Sequence, residues 1–287
     1  MAELFGTVAG ALSVAALFNN CVECFEYVQL GRRFGRDYER CQLKLKIAQT
    51  RLSRWGQAVA IHEDTRFAAT SPTDRPTQEV QSILEEIEML FLSVQKTSKR
   101  YALGAQHEDL VLLEEGDMRP AFRQLCGRLE SVVRRRQKET SLAKKAAWAL
   151  YDGKNLDRLV EQLTGFVDDL EKIYPVQAAR RLVELEIEEI DDASDLVAVS
   201  HAAAGIDTVM AEVAAEKAEG IEVKNHAGNV VTREEARVRV GNEMDERVFG
   251  RGGIADQTTN TADSVDAQGK SRVQIGNKYG GRGIFDD

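Results

Sequence analysis

Cys21 and Cys24 have the C-x-x-C spacing of a redox pair or of half a zinc site. No second C-x-x-C and no nearby histidine completes such a site, so both are assigned to a hydrophobic core. Cys41 and Cys126 are isolated, and the four cysteines together do not form a disulfide framework. The histidines His62, His107, His201 and His226 are scattered over polar stretches, with none in an H-E-x-x-H pattern, and all four are expected in solvent. Arg134, Arg135 and Arg136, followed by Lys138, Lys144 and Lys145, form a basic run that reads as a solvated helix face rather than an anionic-lipid patch. The phosphate-cradling G-x-x-x-x-G-K-S/T loop and the G-x-S-x-G nucleophile elbow do not occur. The chain is therefore expected to be no enzyme and to need no metal or cofactor. Its 38 Lys and Arg against 47 Asp and Glu leave a net charge of −9, the wrong sign for a nucleic-acid binder.

The chemistry that remains is that of self-association. Displacing the C-terminal region against itself by 35 residues aligns 225–242 with 260–277, and 7 of the 18 pairs are identical. The apolar residues of ARVRVGN and SRVQIGN alternate with polar ones, as half-buried strands require. Each copy is too poor in apolar residues to make its own core, so stability must come from stacking like on like at about 4.7 Å. The expected column places Ala227, Val230, Val238 and Val240 over Ala262, Val265, Val273 and Ile275. Asn225 over Asn260 and Asn242 over Asn277 would form amide ladders, and Glu235 would face Lys270. Arg237 over Arg272 should point into solvent, and Gly241 and Gly276 suit sharp reversals.

Composition separates this region from the rest. Residues 221–287 hold 10 of the 22 glycines, no Pro, no Trp and only 21 hydrophobic residues, too few for a packed core. The boundary falls near Gly220: 1–220 is one domain and 221–287 a disordered tail that converts to stacked strands. Before the boundary, apolar residues recur at three and four. Tyr38, Cys41, Leu45, Ala48, Leu52, Trp55 and Val59 define one helix face. Val80, Ile83, Ile87, Leu90, Val94 and Tyr101 define a second, and Leu156, Leu159, Leu163, Phe166, Leu170 and Ile173 another, halted by Pro175. No period-two stretch there is long enough for a sheet, so an all-α bundle of six to nine helices is expected. Leu4 to Val22 is 19 residues without a charge, close to the roughly 20 that span a bilayer core. Leu4, Phe5, Ala11, Leu12, Leu17 and Phe18 supply its apolar length, and Gly6 with Gly10 a G-x-x-x-G face for close helix contact in lipid. At rest, this helix is expected to be buried in the bundle.

Long strings carry a resemblance across the chain: FGTVAGAL, LFNNCVECFEYVQLGRRFGRDYERCQLKL, QKTSKRY, RRRQKETSLAKKAAWALYDGK and the two repeats followed by YGGRGIFDD. The chain resembles the fungal heterokaryon-incompatibility prion proteins HET-s and HET-S, with an N-terminal HeLo domain and a C-terminal prion-forming domain. The resemblance implies a tail that forms a two-rung β-solenoid amyloid. It implies a cytoplasmic cell-death effector whose tail conversion releases the N-terminal segment into the plasma membrane, so that membrane lipid becomes a partner on activation. It also implies self-templating, templating by related prion-type variants, and an upstream NLR-type receptor bearing a matching repeat motif; Ile284 and Phe285 would match the end that folds back over the solenoid. The family pattern has several opposite charges between repeats, whereas here Arg233/Gln268 and Gly228/Asp263 pair a charge with a neutral residue. The alternative is a soluble non-toxic prion or adaptor protein whose tail repeats only drive assembly.

Overall fold

The computed structural model describes residues 12–106, 110–137, 147–221, 224–244 and 259–279. The chain divides into two compact units, Met1–Glu216 and Lys217–Asp287. The first contains helices α1 (Val14–Cys24), α2 (Tyr38–Ala58), α3 (Thr65–Ala68), α4 (Arg75–Gly104), α5 (Pro120–Arg136), α6 (Gly153–Ile173), α7 (Ala179–Glu186), α8 (Ala193–Ala203) and α9 (Thr208–Gly220), the last crossing into the second unit. Their starts are written in local chemistry. Ser13, Asp74, Asp152 and Asp192 each cap a helix through a side-chain oxygen that accepts a backbone N–H, and Pro76 stands in the first turn of α4, where its missing N–H costs nothing.

Helix α2 is the axis of the bundle. Its expected face is buried from Tyr38 to Trp55, with Val59 half-buried just past the helix end, but so are Leu43, Ile47, Gln49, Thr50, Ser53 and Arg54, because α1, α5, α6 and α8 surround it. Trp55 is wholly buried, and its Nε1 donates to the carbonyls of Leu170 and Tyr174 at 3.2 Å each. In α4 the buried stripe keeps Val80 and Ile87 of the expected face but takes Leu84, Phe91, Gln95 and Ser98 in place of the expected Ile83, Leu90, Val94 and Tyr101. Two polar positions draw it round: Gln95 is buried, and Ser98 Oγ donates to the Ala149 carbonyl. That carbonyl belongs to a feature absent from the sequence reading, a two-stranded parallel ladder of β1 (Val28–Leu30) and β2 (Trp148–Leu150). Three-residue strands are too short to show a periodicity, and this pair exists only because the bundle brings the two segments together.

Leu17 and Phe18 are buried in α1, and Leu12 is 38% exposed. Phe18 lies against Gly56 of α2, so closely that a Cβ there would overlap Cζ at the tip of the aromatic ring. Gly56→Ala is therefore expected to expel Phe18 from its seat and to destabilise the helical unit by about 2–3 kcal/mol. A fall of about 5–10 °C in the thermal midpoint would check this.

Candidate functional site

Among its described residues the second unit has six short strands: β3 (Lys224–Thr232), β4 (Arg237–Val240), β5 (Glu243–Met244), β6 (Thr259–Ala267), β7 (Arg272–Ile275) and β8 (Lys278–Tyr279). They pair in parallel as β3 with β6, β4 with β7 and β5 with β8. The register is a displacement of 35: Asn225 opposes Asn260, Ala227 opposes Ala262 and Val230 opposes Val265. Val238 opposes Val273, Val240 opposes Ile275, and Glu243 opposes Lys278. Each repeat is thus one rung, and the second lies on the first.

The ladder continues through the bends. Backbone N–H groups of Gln268, Lys270, Arg272, Gly276 and Lys278 donate to the carbonyls of Thr232, Glu234, Ala236, Val240 and Asn242 at 2.7–2.9 Å. Gly241 and Gly276 occupy the sharp reversals with φ of +153° and +145°, and a Cβ on Gly241 would overlap the Gly276 carbonyl. A second pair of equivalent positions, Glu234 (φ +62°) and Gly269 (φ +76°), makes the other bend. Sequence reading missed it because only one of the two residues is glycine.

Side chains add cross-rung bonds. Arg239 Nε donates to Gln274 Oε1 at 3.0 Å and Ser264 Oγ to Asn229 Oδ1 at 2.8 Å, both pairs 35 residues apart. Asn277 Oδ1 accepts from the Asn242 N–H at 2.8 Å and from Asn260 Nδ2 at 3.2 Å. Lys270 Nζ stands 3.9 Å from Glu235 Oε1, with both side chains more than 80% exposed, which keeps this pair weak. Val230 is 8% exposed, whereas Val265 and Ile275 are 44% and 42% exposed. Apolar residues of the second rung therefore lack a cover that a further rung would supply.

Leu4, Phe5, Gly6, Gly10 and Ala11 lie outside the described residues, as do Lys138, Lys144, Lys145, His107, Ile284 and Phe285. No helix among the described residues is long and apolar enough to cross a membrane. The four cysteines are buried; Cys21 Sγ donates to the Leu84 carbonyl, and burial pushes the Cys41 thiol up to about 11, far from a reactive thiolate. Two readings need correction. His62 is half-buried rather than fully solvated and packs edge-on against Phe18, with centroids 6.1 Å apart. Arg136 is not on a solvated face: its guanidinium pairs with buried Glu186 at 2.8 Å, and α5 carries it there because α7 packs where a sequence shows only solvent. Glu186 also pairs with Arg54, which reaches Asp207 ahead of α9; both distances are 2.7 Å. Burial disfavours the Arg54 charge, but the hydrogen bonds and charges of Glu186 and Asp207 outweigh it and hold the guanidinium protonated. Nothing in sequence spacing announces this cluster, because Arg54 stands 132 and 153 residues from its two carboxylate partners.

A helical bundle followed by two superposed parallel rungs defines a class of protein in which a folded domain carries a tail of stacked repeats. Comparison with known proteins makes the class specific. The family described as HeLo, "Prion-inhibition and propagation", matches residues 6–199, and that described as Het-s 218-289 matches residues 217–280. Heterokaryon incompatibility protein s of Podospora anserina is 56% identical over 290 residues, covering all of both chains. Heterokaryon incompatibility protein S of the same organism is 54% identical over 289 residues, again with full coverage. The solved HET-S N-terminal domain superposes with a TM-score of 0.74 at 58% identity, covering 77% of this chain and all of that one. A doubly substituted HET-s N-terminal domain gives a TM-score of 0.70 at 58% identity, covering 72% and 98%. The chain belongs to the HET-s/HET-S family of fungal heterokaryon-incompatibility proteins, with a HeLo domain and a prion-forming region that implies self-assembly.

Proposed function

We propose that this chain is a cell-death effector of heterokaryon incompatibility whose tail amyloid triggers its helical domain to permeabilise membranes. The observation that carries the reading is the 35-residue register, which leaves each face of the two-rung stack ready for an identical rung. Ala227, Val230, Val238, Val240, Ala262, Val265, Val273 and Ile275 form the fibre core, and Asn225, Asn242, Asn260 and Asn277 its amide ladders, with Glu235 facing Lys270 in each molecule. Related prion-type variants or an NLR-type receptor with a matching repeat would offer the same edge as a template.

Two rungs advance the fibre by about 9–10 Å, whereas a helical domain of this size is some 40 Å wide. Domains crowded at that spacing must fan out or distort, and distortion releases the segment 4–22 to the bilayer of the plasma membrane, where Gly6 and Gly10 favour association. Before activation the protein resides in the cytoplasm. Ala11→Lys should leave seeded fibres intact but abolish dye leakage from vesicles, because it places a charge mid-segment. Leakage at the wild-type level in that variant would remove the segment from the mechanism. Intact vesicles after complete assembly of the wild-type chain would favour the non-toxic prion or adaptor.

A further inference from the structure

Asp263 is displaced by 35 residues from the neutral Gly228, yet it has a partner two positions away from that glycine. His226 Nε2 lies 3.4 Å from Asp263 Oδ2, and Nδ1 of the same ring is 3.0 Å from the hydroxyl of Thr261, its own register partner. One imidazole thus spans from rung to rung through both nitrogens. We infer that His226 and Asp263 are a recognition pair that makes elongation selective for incoming chains with a complementary side chain at each position. The inference rests on the templating reading above and adds the residues that discriminate among templates.

The argument comes from stacking. A single molecule contains one such contact, with the imidazole and carboxylate 56% and 65% exposed, and an isolated exposed pair is worth little. In a fibre the rungs alternate first, second, first, second. Each His226 then lies between the Asp263 of its own molecule and that of its neighbour, so every addition step repeats the contact across the new interface. The other opposite charges of the tail lie elsewhere on the rungs, Glu243 opposite Lys278 in β5 and β8 among them. Asp266 opposes Val231 in register, and Gln268 donates to it. Glu235 and Lys270 face one another at the far bend. Among the described side chains, Asp263 is the only charged group that β6 presents within 4 Å of the His226 ring. An acid at position 226 would set a carboxylate diagonally across from that of Asp263 at every rung, a like-charge neighbour in place of the imidazole.

The test is elongation of the full-length chain from wild-type seeds in low salt, read as the initial rate and as the monomer left in solution. His226→Asp is expected to slow elongation at least fivefold and to raise the residual monomer by a similar factor. His226→Asn should fall between it and the wild type, and the exchange His226→Asp with Asp263→His should elongate from its own seeds within twofold of the wild type. High salt should close the gap between His226→Asp and the wild type. A His226→Asp rate equal to the wild type, or an exchange variant no faster than the single change, overturns the pair while leaving templating intact. Failure of the wild-type chain to elongate on wild-type seeds overturns the templating reading itself.

Discussion

Val273→Pro should reduce elongation on wild-type seeds by more than a hundredfold, to the level of unseeded buffer. Along the second rung the N–H groups of residues 268, 270, 272, 276 and 278 are spent on the first rung. In a parallel strand, alternate residues direct their N–H and C=O to opposite neighbours, so Val273, between Arg272 and Gln274, directs its N–H to the open edge where the next molecule adds. Proline removes that donor, and its ring obstructs the approaching strand. The same change removes the isopropyl group that sits over Val238. Val273→Ile, which keeps the donor and the apolar contact, should elongate within a fewfold of the wild type. Sedimentation of the full-length protein after seeding measures both, and a Val273→Pro chain that elongates normally would show that the 35-residue register is not propagated between molecules. If templating drives membrane damage, Val273→Pro should also abolish vesicle leakage.

Arg54→Met should destabilise the helical unit by about 3–5 kcal/mol, the usual consequence of removing one partner from a buried ion cluster. The Arg54 side chain is 3% exposed, and those of Glu186 and Asp207 are 0% and 2% exposed, so two carboxylates would be left in the interior with Arg136 alone to offset them. Asp207 also accepts the Met210 N–H at 3.1 Å, so the loss reaches the start of α9, the helix that leads to the tail. Arg54→Lys keeps the charge but not the two-pronged grip on Glu186 at 2.8 and 2.7 Å, and should cost less. Chemical unfolding followed by the fluorescence of the neighbouring Trp55 reads both, and a loss under about 1 kcal/mol for Arg54→Met would mean that the cluster contributes no net stability.

The strand register of the tail was legible in its sequence. A repeat that stacks like on like carries its register in the displacement between copies, so Val238 over Val273 and Asn242 over Asn277 follow from alignment alone. The bend at Glu234 and Gly269 did not follow, since a positive φ at a glutamate leaves no mark in composition. Nor did the partner of Asp263, because His226 reaches it diagonally and not in register.

In the helical unit the sequence by itself determined much of where helices start and stop; caps, prolines and three-four periodicity are local properties. Only the tertiary structure decided which helix is surrounded, and so why polar Gln49 and Arg54 of α2 are interior. It also decided that Phe18 sits on Gly56, that His62 closes against it, and that Arg136 joins Glu186 rather than solvent. Burial of a charge or fit of a ring depends on groups distant in the chain, whose convergence no periodicity encodes. Stacked repeats escape that limit because each residue's neighbour is its own copy.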